Sequence, residues 1–360
     1  MSDVALASKH GGLLEDELTR LGLRPEEVLD VSVNVNPYGC PSVVIEAIRA
    51  ASIERYPDPT ATPARAALSR WLDVPRERVV VGNGAVDLLW SLARCLVCPG
   101  DRVLVLEPAF SELRRAATYA GARVVEHRLE PGDDFALDPA ALDAALRTHR
   151  PRLAYLCTPG NPTGKTIPTD FLVRLADEHP QTTFIVDLSF SSLGEGHRDD
   201  VVHASGRVVW LRSLTKDLAL AGLRVGFAVA PRAIVTMIEG SRPPWSVNAL
   251  AQAAARAATT PEAQAFVAES RARLLADRAE LEFALREFGL RAHPSRTLYT
   301  LLYLGAERRA TALREALLAQ HAVLIRDATS FGLPHHVRLC ARPREQLPRL
   351  LQALARELDR

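Results

Sequence analysis

The chain has 360 residues, 48% of them hydrophobic and 24% charged, with a formal net charge of +1. That is the balance of a globular protein with material for a large core, and the length suggests two domains or one large domain with an appendage. Near-neutral charge gives no reason to expect nucleic acid or an anionic membrane as a partner. No stretch reaches the ~20 apolar residues of a bilayer span, and the first residues do not read as a secretion signal.

In chain order, apolar strand-like runs at 79–81, 103–106, 153–157, 184–187, 208–212 and 225–230 alternate with amphipathic helical stretches at 85–97, 111–120, 139–148 and 171–178. Such alternation predicts an α/β fold with a mostly parallel central sheet and helices on both faces. Ligands in such sheets sit at the carboxyl ends of the strands. From about residue 231 the pattern changes to a long helical region, 243–288, then short strands at 297–304 and 337–340 and helices at 311–320 and 345–357. The expected organisation is a large domain, 41–240, and a smaller α+β domain made from 1–40 and 241–360. Cys40, Cys95, Cys98, Cys157 and Cys340 are odd in number and irregularly spaced. That argues against a disulfide framework and for a reducing, cytoplasmic setting. The lone CxxC at Cys95 and Cys98 reads as two small apolar side chains closing a buried helix, and no metal is expected.

The strongest chemical pattern is Ser213-Leu-Thr-Lys216, followed by Gly222, Arg224 and Gly226. A lysine just past a strand end, with a cation nearby to favour its deprotonation, suits an imine link to an aldehyde cofactor. Ser213 and Arg224 can offer a hydroxyl and a guanidinium to one phosphate. Earlier in the chain, Gly82-Asn-Gly84-Ala85-Val86 follows a strand and opens a helix, where free N–H groups form an anion cradle.

These segments resemble the class I/II aminotransferases, the fold-type-I pyridoxal 5′-phosphate (PLP) enzymes, and matching stretches run in the family's order over nearly the whole chain. The resemblance implies that Lys216 carries PLP as a Schiff base and that Gly84, Ala85, Val86, Ser213 and Arg224 hold its phosphate. Phe110, in Glu107-Pro-Ala-Phe110, then stacks on the pyridine ring. Asn161, in Thr158-Pro-Gly-Asn161-Pro-Thr-Gly, donates to its phenolic oxygen. Asp187, ending Phe-Ile-Val-Asp187, keeps the ring nitrogen protonated so that the ring can accept electrons. Arg338 matches an arginine that clamps a substrate α-carboxylate. Tyr56 matches a tyrosine that reaches the cofactor phosphate of a partner subunit, which implies a homodimer with shared sites.

Within the family the chain looks most like threonine-phosphate decarboxylases and then histidinol-phosphate aminotransferases. The features that carry this are His10-Gly-Gly, Asn34-Val-Asn36-Pro, Pro244-Trp-Ser-Val-Asn248 and Leu324-Ile-Arg326. His10, Asn34 and Arg326 are candidate anion contacts, or else a helix-lead His, a turn Asn and a surface Arg. The pattern departs at Leu13, Leu188, Phe190 and Leu298, where relatives tend to carry polar groups or a hydroxyl. The expectation is that the site has lost polarity and takes a less polar substrate, or binds its phosphate differently. The reading adopted is an aminotransferase acting on a small or phosphorylated amino acid through an external aldimine. A threonine-phosphate-type decarboxylase stands beside it, and a catalytically inactive PLP-fold binding module is the third reading.

Overall fold

The computed structural model describes residues 10–203 and 205–358. The first nine residues of the expected small-domain segment therefore lie outside it. A two-residue strand, β1 (Leu29–Asp30), comes first in the chain. The main sheet then takes β2 (Val79–Gly82), β3 (Arg102–Glu107), β4 (Arg123–Arg128), β5 (Leu153–Cys157), β6 (Thr183–Asp187), β7 (Val209–Ser213) and β8 (Gly226–Val229). Its spatial order is β2-β8-β7-β6-β5-β3-β4. Val79, Val80 and Val81, like Leu153 through Cys157, are buried on both faces of the sheet, which is why they read as unbroken apolar runs. β4 escaped the sequence reading because it is an edge strand, Arg-Val-Val-Glu-His-Arg, with charged residues at its exposed positions.

One strand breaks the parallel pattern. β8 runs antiparallel to both of its neighbours, β2 and β7, while the other neighbours pair in parallel. The carboxyl ends of β2, β3, β5, β6 and β7 therefore share one edge of the sheet with the amino end of β8. Gly226 is paired with both Gly82 and Ser213 there, so Arg224 reaches the same edge that Lys216 leaves.

The later chain forms a four-stranded sheet, β12-β13-β10-β9, from β9 (Arg291–His293), β10 (Tyr299–Tyr303), β12 (Arg326–Asp327) and β13 (His336–Cys340), paired antiparallel throughout. β11 (Val323–Leu324) pairs instead with β1, in parallel. The N-terminal helix Glu15–Leu21 adds to this contact: its Leu18 packs with Leu318 and Leu324, and Glu17 is ion-paired with Arg314.

The long helical region is not one helix. Residues 243–248 form a loop, with Trp245 at φ +59°. A first helix, Ala249–Ala257, is capped by Asn248, and a second, Pro261–Glu287, by Thr260. Pro261 lacks the N–H that a continuous helix would need and is well placed in a first turn, so the break falls there. Cys98 is exposed beyond the helix Gly84–Leu96, so of the CxxC pair only Cys95 is partly buried. Among the described residues no helix is long and apolar enough to cross a membrane.

Candidate active site

A cavity of about 490 Å³ opens at the shared edge of the main sheet. Ala85, Val86, Phe110, Asn161, Asp187, Ser213, Lys216 and Arg224 line it from the main sheet, and His10, Asn34, Arg326 and Arg338 from the N-terminal segment and the small sheet. Two of the expected residues do not. Gly84 lies just behind the wall, and Tyr56 stands apart, 80% exposed and stacked on Trp245 at 4.5 Å.

Backbone geometry builds one end. Gly84 has φ +79°, and a Cβ there would lie 2.6 Å from Arg224 Nη2; a Cβ at Gly226 would lie 2.7 Å from the Ala85 nitrogen. Neither position tolerates a side chain. The first-turn N–H groups of the helix Gly84–Leu96 lack intrahelical partners, and Gly84 at its start lies against the guanidinium of Arg224. Arg224 itself sits in the left-handed region at φ +58°, a conformation costing about 1–2 kcal/mol for a residue with a side chain. The result is a hollow ringed by amide donors, a hydroxyl and a guanidinium, which suits a phosphate.

Beyond the hollow, Lys216 Nζ donates to Thr215 Oγ1 at 3.1 Å, and Thr215 Oγ1 is bonded to Ser213 Oγ at 2.6 Å. Burial, reinforced by Arg224, brings the lysine ammonium down to about 8 against the pull of Asp187 and Asp217. Asp187 is buried, and both its oxygens are engaged. Tyr155 Oη donates to Oδ2 at 2.7 Å and the Ser189 N–H to Oδ1 at 2.9 Å. These bonds fix the carboxylate at the cavity wall.

Arg338 is fully enclosed. Its Nη1 donates to Asn161 Oδ1 at 2.5 Å and its Nη2 to the Ser32 carbonyl at 2.6 Å. With its oxygen taken, Asn161 has its amide N–H groups left for another acceptor. Tyr299, whose ring lies 5.4 Å from the Arg338 guanidinium, donates to the Gly160 carbonyl at 2.7 Å. Arg326 donates to Ser330 and lies over the Phe331 ring; burial and Arg338 bring it down to about 10. Asn34 is 4% exposed, and neither its amide nitrogen nor its oxygen finds a partner among the described residues. An orphaned amide beside a cavity is a group that a ligand can satisfy. The His10 ring lies 5.4 Å from that of Phe110, and its Nε2 is 3.4 Å from Glu112.

One expectation is overturned. Leu13, Leu188 and Leu298 do not line the cavity. Leu13 packs with Leu18 and Leu318, and Leu188 and Leu298 belong to the main core. Successive residues of an extended chain point to opposite faces, so Leu188 turns away where Asp187 turns in. Among the four departures only Phe190 faces the site, edge-on to Tyr299 at 5.2 Å. Of the expected losses only the missing Phe190 hydroxyl bears on the cavity, and the inference of a less polar site drawn from the three leucines falls.

The sequence reading also missed residues. Tyr155 holds Asp187, Thr215 holds Lys216, and Glu112 and Arg115 line the wall near His10. Tyr155 left one clue: a phenol in an otherwise apolar strand needs a partner. Elsewhere, Asp143, Glu178 and His179 cluster closely enough to suggest a cation site. Arg147 already occupies both carboxylates, and none of the three lines the cavity.

A phosphate hollow, a lysine with a lowered pKa and an oriented buried carboxylate on the edge of a mostly parallel sheet fit PLP. Bound there, the cofactor supplies an aldehyde for the lysine and an electron-accepting ring. Fold and site thus define a fold-type-I PLP enzyme. The chain belongs to the aminotransferase class I and II family, whose model matches residues 26–354, and it is a PLP-dependent aminotransferase. It is 35% identical to the histidinol-phosphate aminotransferase of Halorubrum lacusprofundi over 329 residues, 90% of this chain and 87% of the relative. Among solved structures, the histidinol-phosphate aminotransferase of Sinorhizobium meliloti in complex with PLP superposes with a TM-score of 0.86 over 100% of this chain and 98% of that one; at 22% identity this is a likeness of fold. The L-threonine-O-3-phosphate decarboxylase of Porphyromonas gingivalis superposes with a TM-score of 0.81 at 26% identity, over 92% and 100% of the two chains.

Proposed function

We propose that this aminotransferase moves the amino group of a small phosphorylated donor of the histidinol-phosphate class, with Lys216 as its cofactor lysine. One observation carries the reading. Two guanidinium groups, Arg326 and Arg338, line the cavity beyond Lys216, in addition to Arg224 at the phosphate hollow. A second anionic site is what a phosphorylated substrate requires. The names of the relatives at about this level of identity support the same substrate class.

In this reading Gly84, Ala85, Val86, Ser213 and Arg224 hold the cofactor phosphate, Phe110 covers the ring, Asn161 donates to the ring oxygen and Asp187 faces the ring nitrogen. With PLP bound, Lys216 Nζ would carry the proton at the substrate Cα. Arg338 holds the α-carboxylate of the amino-acid or keto-acid partner in the half of the reaction that the phosphorylated donor, which has no carboxylate, does not supply. His10, Asn34 and Arg326 take the substrate's phosphate. The large domain is 41–240 and the small one 1–40 with 241–360, so the substrate lies between them. Exposed Tyr56 reaches the site of a second copy in a homodimer, and the enzyme works in the cytoplasm.

The likeness to the threonine-phosphate decarboxylase favours a second reading, loss of carboxylate from Cα. Single-turnover mixing of the holoenzyme with histidinol phosphate and with O-phosphothreonine separates the two. Transamination leaves the cofactor in its amine form and yields a carbonyl product. Release of CO₂ with the original cofactor spectrum restored would replace the proposal by the second reading.

A further inference from the structure

The wall beside His10 carries a cation that neither the cofactor nor the carboxylate clamp uses. Arg115 extends from the helix Glu112–Tyr119 to the cavity lining. Its Nη1 donates to Glu112 Oε1 at 2.7 Å, and its guanidinium lies 5.9 Å from the centre of the Trp90 ring. Among the described residues that is the one hydrogen bond its side chain makes. Arg338, by contrast, already gives one N–H of each terminal nitrogen to the protein. Arg115 therefore keeps most of its five donors for something else.

Glu112 explains why the cation stays there. Its side chain is only 4% exposed, and its second oxygen accepts from Trp90 Nε1 at 2.9 Å. A buried carboxylate with both oxygens engaged is a rigid anchor, and the Trp90 face on one side of the guanidinium limits its swing. The anchor also faces His10. Glu112 raises the His10 pKa while Arg115 and Arg326 lower it, burial being the largest influence and also downward. Three pieces of chain thus meet at His10: the N-terminal segment, the helix of Glu112 and Arg115, and β12 with Arg326.

We infer that Arg115 is a specificity-determining contact for the anionic tail of the substrate, with Glu112 as its positioning residue. This rests on the phosphorylated-substrate reading above. The tail enters between Arg115 and Arg326, and the planar fork of Arg115 pairs with two phosphate oxygens. Glu112 offsets the charge of Arg115 while the tail is absent, so the wall does not accumulate unpaired cations.

The experiment compares histidinol phosphate with histidinol on the holoenzyme, by steady-state kinetics and by calorimetric binding. The ratio of the two kcat/KM values measures how strongly the tail is read. In Arg115→Leu this ratio is expected to fall about tenfold to a hundredfold, the range for losing a charge-assisted pair, and to do so through KM. Arg115→Lys should recover part of the ratio. Glu112→Gln should lower it with Arg115 still present, while a merely structural role for Glu112 would lower kcat on both donors alike. Arg115→Gln serves as a second variant where the leucine lowers yield. If the wild type shows no preference for the phosphorylated donor, the substrate reading itself fails. If the wild type prefers it and the Arg115 variants keep that preference undiminished, the inference fails alone.

Discussion

The two ends of the cavity are made in different ways. The cofactor end is a product of one sheet: strand register sets Gly82, Gly226 and Ser213 side by side, and the loops leaving those strands carry Gly84, Arg224 and Lys216. The substrate end is a meeting of segments far apart in sequence, with His10 and Asn34, Glu112 and Arg115, and Arg326 and Arg338 each supplied by a different part of the chain. On the proposed reading, the first end is held by one sheet and serves the chemistry, while the second depends on the docking of separate segments and serves the choice of substrate. Substitutions at the two ends should therefore separate into effects on kcat and effects on KM.

The largest effect belongs to the cofactor end. Lys216→Ala should cut turnover on the order of 10⁵-fold and abolish borohydride fixation of the cofactor to that peptide, with the fold retained by circular dichroism. Substantial turnover in that variant would break the comparison at its root. Asp187→Ala should lower kcat by about 10³-fold, roughly 4 kcal/mol, with little change in KM; a wild-type rate would remove Asp187 from the ring nitrogen. At the other end, Arg338→Ala should lower kcat/KM about a hundredfold, mainly by raising KM for carboxylate-bearing substrates. A drop confined to kcat would instead mean that its bond to Asn161 matters more than its grip on substrate. The smallest effect is one of pH. Below about 8 the Lys216 amine is protonated and cannot attack an aldehyde, and above it the free amine dominates. Reloading of the cofactor-free enzyme with PLP should therefore quicken about tenfold per pH unit up to that point and then level off. Stopped-flow absorbance reads this directly, and a rate flat from about pH 6 to pH 8 would contradict the lowered lysine.

The same division governs what was legible in the sequence. The lysine segment, the glycine turn, Asp187 and the Thr158–Gly164 loop could be found because each is a short run whose chemistry follows from its neighbours. The main-sheet strands could be found because burial on both faces makes them apolar throughout, and charged β4 could not. At the substrate end, Leu13, Leu188 and Leu298 looked like changes to the pocket, yet all three are packed in cores. Which way a side chain points depends on the exact residue at which a strand ends, and a run of letters does not give it. Arg115 carried no signal at all. An arginine one turn into an amphipathic helix reads as solvated until the fold brings His10 and Arg326 next to it. The break at Thr260-Pro261 is written in the sequence, as a capping residue before a proline, though the alanine-rich stretch around it reads as one helical region.

The reversed strand β8 has a consequence for anyone wishing to re-engineer this scaffold. Because it enters the sheet against the direction of its neighbours, the ten residues separating Arg224 from the end of β7 act as a tether whose two ends must land in register, Ser213 against Gly226. Side chains alternate sides along a strand, so an insertion that slipped this pairing by one residue would exchange the two faces of β8. Grafting or evolving new specificity is therefore best confined to the far wall, where segments meet without a shared ladder of backbone bonds, and the tether is best left at its present length.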